Sequence, residues 1–160
     1  MTRMDQVLQL VGQLNYTWTN TESLFIYLIA HLVGTNKEAA IVIFLTLNTT
    51  RARIDLLERL SKLGAISEDT RRRVLGLTER LKQEAKVRNK YNHCIYSFDA
   101  NGEFGSTQLM RINEFGDDLR YGKVEVLDDG EIGRIRNAIK QVTSVNRDIW
   151  EFIRDSRIET

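Results

Sequence analysis

The chain has 160 residues, 42% of them apolar and 28% charged, which is enough for one domain with a real core and too short for two comfortable ones. A single cysteine, Cys94, excludes an internal disulfide framework and any cysteine-rich metal site, and it suits a reducing cytosol. The net charge of +1 hides an asymmetry: residues 51–90 hold twelve Lys or Arg against six acids, whereas 97–131 hold nine acids against three bases.

Residues 1–6 (MTRMDQ) run straight into an amphipathic pattern, without the charged-then-apolar layout of a signal sequence. The absence of proline favours long helices. In the first, Val7, Val11, Leu14, Trp18, Phe25, Leu28 and Leu32 recur at helical spacing, and Glu22 falls on the same stripe. The apolar run LFIYLIAHLV (24–33) is about half of what crosses a bilayer, so it reads as a buried helix of a soluble, cytoplasmic protein with no membrane contact.

A second helix is expected from about Lys37 to Leu63, with Gly34 and Gly64 as stops after the first two helices. The third begins at the N-cap Ser67, with Glu68 and Asp69 in its first turn. Val74, Leu77, Leu81 and Ala85 make its buried stripe. Next the period changes: CIYSF-DANGE-FGSTQLMRI reads as strand, turn and strand around Asn101-Gly102, and YGKVEVLDDG is a candidate third strand. The last helix starts near Asp128, with Glu131 placed as in a capping box. The expected class is therefore all-α: a four-helix bundle in a single domain over 1–160. A small antiparallel β insertion, 95–127, lies between helices 3 and 4.

Two readings compete for the basic stretch from TRRR (70–73) through KQEAKVRNK (82–90): solvated helix faces, or a surface for a polyanion. Near its end Arg88 projects within about 40° of Leu81, Leu77 and Val74 on a helical wheel, so it points inward, where a guanidinium needs a partner. Glu22 and Asp55 stand on inward-leaning positions and are the ion-pair candidates. On that reading the protein is a non-catalytic helical binding or assembly module.

The other reading is chemical. Arg88, Asn89 and His93 bring together a cation, an amide and a group that titrates near neutral pH. Metal-free cleavage of RNA needs a base for the ribose 2′-hydroxyl, an acid for the leaving oxygen and a cation for the phosphate. Other candidates carry less. His31 has no acid or cysteine at ligand spacing, and Cys94, adjacent to His93, points another way. GEFG (102–105) belongs to the hairpin, while Tyr91 and Tyr96 suit base stacking and packing equally.

RNKYNH (88–93) resembles the signature of HEPN-domain proteins (higher eukaryotes and prokaryotes nucleotide-binding): arginine, a polar residue, three further residues and histidine near the end of a core helix. The likeness extends to Trp18 and Glu22 on the inner face of an early helix. It implies a metal-independent endoribonuclease of the toxin or antiphage type, without cofactors. Arg88, Asn89 and His93 would then be catalytic, in a cleft shared by a homodimer. It also implies RNA as substrate and an antitoxin or regulatory protein as partner. Ile95 stands where one branch, modified by a nucleotidyltransferase antitoxin, carries a tyrosine.

Overall fold

The computed structural model describes residues 1–160. It contains six helices and five strands: α1 (Arg3–Ser23), α2 (Phe25–Val33), α3 (Lys37–Thr46), α4 (Thr50–Ser61), α5 (Glu68–Asn92), β1 (Cys94–Phe98), β2 (Gly105–Leu109), β3 (Ile112–Phe115), β4 (Asp118–Tyr121), β5 (Val124–Val126) and α6 (Asp129–Asp155). The all-α four-helix bundle is thus corrected. Six helices replace four, and the β region is five-stranded and lies between α5 and α6. No single helix is long and apolar enough to cross a membrane.

Side-chain chemistry explains both extra breaks. Before Leu24, Thr21 Oγ1 donates to the carbonyl of Thr17 (2.8 Å) and Ser23 Oγ to that of Asn20 (2.7 Å), competing with the helical ladder. The chain then tightens, Leu24 N–H bonding the carbonyl of Thr21 and Tyr27 N–H that of Leu24. Between α3 and α4 the break is a capped restart. Thr49 is extended, and its hydroxyl accepts the Ala52 N–H at 3.1 Å. The string LNTT carried that signal, but the continuous apolar pattern on either side masked it.

Gly34 ends α2 in the left-handed conformation, φ 74°, as expected. Gly64 does not end α4; Lys62 does, its N–H bonding the carbonyls of Arg59 and Leu60. Ser67 caps α5 by accepting the Thr70 N–H. Asp128 caps α6 through the Glu131 N–H at 2.9 Å.

The chain divides into two compact units, Met1–Tyr16 with Glu84–Lys140 and Thr17–Gln83 with Gln141–Thr160. In the first, Val7, Leu10 and Leu14 of α1, Tyr91 and Cys94, Leu127, and Ile132, Ile135 and Ala138 of α6 form one buried cluster. Strands β1, β2 and β5 make an antiparallel sheet in the order β1-β2-β5. The turn Asn101-Gly102 occurs as expected, with Gly102 at φ 71°. The expected second strand stops at Leu109, and a separate hairpin, β3–β4, turns at Gly116, φ 63°. In the second unit α2 packs on α3 and α4.

Candidate functional site

Helix α5 runs to Asn92 without fraying, and His93 is the first residue beyond it, its N–H still bonded to the carbonyls of Asn89 (3.1 Å) and Lys90 (3.3 Å). This places Arg88 and Asn89 on the last turns of a helix and His93 on the bend into β1. Arg88 is half-buried, while Asn89 and His93 are exposed. Arg88 Nη1 donates to Asn89 Oδ1 at 3.0 Å, so the amide holds the guanidinium beside itself. His93 lies beyond this pair, and its carbonyl accepts the Met110 N–H at 3.3 Å, tying the bend to the end of β2.

Glu22, expected to face Arg88, is engaged elsewhere. It is buried on α1, where Arg53 Nη1 reaches Oε1 at 3.1 Å, Trp18 Nε1 donates to Oε2 at 2.9 Å and Thr50 Oγ1 donates to both oxygens at 3.0 Å. Arg53 also donates through Nε to the carbonyls of Phe44 (3.1 Å) and Leu47 (2.7 Å), closing the end of α3. One arginine therefore joins α1, α3 and α4. Asp55 sits half-buried on α4. There it assists the Glu58 hydrogen bond that, despite some burial, raises the Lys82 pKa above its usual value.

A second polar cluster, which no local spacing reveals, starts from Lys90 and Tyr91 inside the motif. Lys90 Nζ reaches Glu131 at 2.8 Å and Glu125 at 3.1 Å, and the Tyr91 hydroxyl donates to Glu131. Tyr96 in turn donates to the carbonyl of Tyr91 at 2.5 Å. Glu131 is buried. Burial alone pushes its carboxyl up, but the bonds from Lys90 and Tyr91 outweigh this and hold it below the usual carboxylate range. For Lys90, burial pulls down and the two carboxylates prevail, leaving it raised. Burial first, and the Glu131 contact second, push the Tyr91 phenol far up. Burial likewise raises the Cys94 thiol, which makes it a poor nucleophile.

The sequence pattern gave Glu131 the role of closing a capping box. Its side chain instead turns across to α5, and only its N–H takes part in the cap. No group of three or more His, Cys, Asp or Glu side chains is gathered to hold a metal ion.

What the arrangement can do follows from its parts. Arg88 and Asn89 offer a cation with a fixed amide neighbour, suited to a phosphate oxygen. His93 offers an exposed proton carrier a few residues on. The cluster of Lys90, Tyr91 and Glu131 anchors α5 against α6, so that the motif stands on a rigid base. Comparisons with protein-family models, with curated proteins and with solved structures returned no match.

Proposed function

We propose that the protein cleaves RNA without a metal ion, through Arg88, Asn89 and His93. The observation that carries this reading is the bond from Arg88 to Asn89 beside an exposed His93 at the end of α5. In the alternative, a non-catalytic module with Arg88 as a structural ion-pair residue, Arg88 would share the Glu22 carboxylate with Arg53, Trp18 and Thr50 or turn to Asp55. The likeness of RNKYNH to the HEPN signature, in a chain whose helices are arranged differently from those expected, supports the same chemistry on the residues alone.

The step balances as a transesterification. His93 in its neutral form takes the proton from a ribose 2′-hydroxyl as that oxygen attacks phosphorus. The bond to the 5′-oxygen breaks, and a protonated histidine gives that oxygen a proton. The products are a 2′,3′-cyclic phosphate and a free 5′-hydroxyl. Arg88 meets the negative charge that builds on the non-bridging oxygens, and Asn89 orients it. Each chain brings one histidine at this site, so the second proton carrier comes from a second copy.

The test is cleavage of a labelled RNA pool in EDTA by wild type and His93→Ala, both shown folded by circular dichroism. Wild type is expected to leave cyclic phosphate ends, with His93→Ala slower by about 10²-fold or more. Equal cleavage by the two proteins overturns the assignment, as does cutting at a 2′-deoxy position.

A further inference from the structure

The break between α1 and α2 opens a cavity of about 440 Å³ in the second unit, within the size range of small-molecule sites. From the break come Asn20, Ser23 and Tyr27, beside the turn in which Leu24 N–H bonds the carbonyl of Thr21. Helix α6 supplies Asn146 and Trp150, four residues apart and so on one face. Lys37, the first residue of α3, completes the wall. Tyr27, Asn146 and Trp150 are half-buried, while Asn20 and Lys37 are exposed.

Two features give the cavity a chemistry. One is an aromatic corner: the Tyr27 and Trp150 rings lie 6.0 Å apart at 44°, and Lys37 Nζ stands 5.2 Å from the Tyr27 centroid. The other is an amide of fixed orientation. Thr21 is fully buried, and its hydroxyl gives its one hydrogen to the carbonyl of Thr17 at 2.8 Å. Toward Asn146 it can therefore only accept, so the group that meets it at 3.0 Å is the amide nitrogen. Asn146 Oδ1 is thereby turned away from Thr21, an oriented acceptor on the cavity wall, and the nitrogen keeps a second N–H beside it.

We infer that this cavity binds an unpaired nucleobase, its face against Trp150 and an N–H of its edge donated to Asn146 Oδ1. Stacking on an aromatic ring serves any base, and a base edge sets an N–H beside an acceptor, the complement of an amide. No carboxylate lines the cavity, and the exposed Lys37 ammonium suits the phosphate that such a base carries. A sugar fits less well: a hydroxyl donates and accepts alike, and gains nothing from an amide locked in one orientation. Base binding here uses none of Arg88, Asn89 and His93 and is independent of cleavage.

Calorimetric titration with adenosine 5′-monophosphate up to about 5 mM tests it without any cleavage. Wild type is expected to bind with Kd below about 1 mM. Trp150 fluorescence should fall in parallel, since the other tryptophan, Trp18, is only 2% exposed. Trp150→Leu should weaken binding about tenfold or more. Against wild type, the ribonucleotide of unsubstituted purine, which lacks the amine that Asn146 Oδ1 accepts, should also bind about tenfold more weakly. That arm keeps the test valid if the variant misfolds. A short oligoadenylate that binds more tightly than its number of bases accounts for assigns the base to an RNA strand, and otherwise to a free nucleotide; both outcomes keep the site. No binding of either probe overturns the inference. So does equal binding of the purine analogue, binding unchanged in a folded Trp150→Leu, or displacement of the nucleotide by an equal concentration of glucose 6-phosphate.

Discussion

The phenol of Tyr91, the last residue but one of α5, donates its hydrogen bond to the carboxylate of Glu131, three residues after the N-cap of α6. That one contact links the end of the helix carrying Arg88 and Asn89 to the start of the last helix, with Lys90 bracing it from the side. Its carboxylate is charged and buried, so removing either partner has a definite sign.

Tyr91→Phe leaves a buried carboxylate short of one donor and should cost about 1–3 kcal/mol. Urea unfolding followed by circular dichroism measures this. A loss below about 0.5 kcal/mol would show that Lys90 and Arg134 suffice to satisfy Glu131.

The same contact sets a pH dependence. The Glu131 carboxyl is held below its ordinary value of 4.5. Its stabilisation is thus fully present above that value and is lost as pH falls through the lowered native one. Glu131→Gln should flatten the acid limb of stability against pH, while lowering stability at pH 7. An unchanged acid limb in Glu131→Gln would assign acid sensitivity to other carboxylates.

Arg53 is the residue on which three helices converge. Arg53→Ala should cost on the order of 3 kcal/mol, since it strips a buried carboxylate of its cation and exposes the end of α3. Arg53→Lys should recover only part of this, because an ammonium cannot serve the Glu22 carboxylate and two carbonyls with one planar fork. Thermal melts of the two variants side by side decide it, and equal melting points would refute the convergent role.

The break between α3 and α4 predicts a smaller, local effect. Thr49→Ala removes the oxygen that accepts the Ala52 N–H and should cost about 1 kcal/mol. Thr49→Ser should be close to neutral. Denaturant midpoints with unchanged slopes would confirm that only the cap was lost.

In the proposed cleavage Asn89 acts through Arg88, which it bonds at 3.0 Å, rather than on the reacting atoms. Asn89→Ala should lower kcat about tenfold with KM nearly unchanged, and Asn89→Gln should not restore it, since a longer amide cannot meet the same guanidinium atom. A rise in KM alone would make Asn89 a substrate-binding residue.

Much of the local structure was legible in the residues. Gly34, Ser67, Asp128 and Asn101-Gly102 each mark a boundary that the structure keeps, because caps and turns are satisfied within a few residues of chain. Periodicity also located the buried stripes of Val7, Leu14 and Trp18, and of Val74, Leu77 and Leu81. It failed at Leu24 and Thr49, where an apolar pattern runs on across a break made by hydroxyl groups. The hairpin at Gly116 was missed because all its strand residues are exposed and β3, unlike β4, breaks the apolar alternation.

What the sequence by itself determined was the boundaries at Gly34, Ser67, Asp128 and Asn101-Gly102, which helix faces are apolar, and that Arg88, Asn89 and His93 lie at one helix end. Only the tertiary structure decided the partners of the buried charges. Glu22 had inward-facing arginines to choose between and took Arg53, and Glu131 had its own N-cap within reach and took Tyr91 and Lys90. Long-range pairs of this kind depend on distances between helices, and those are set by packing that no local spacing encodes.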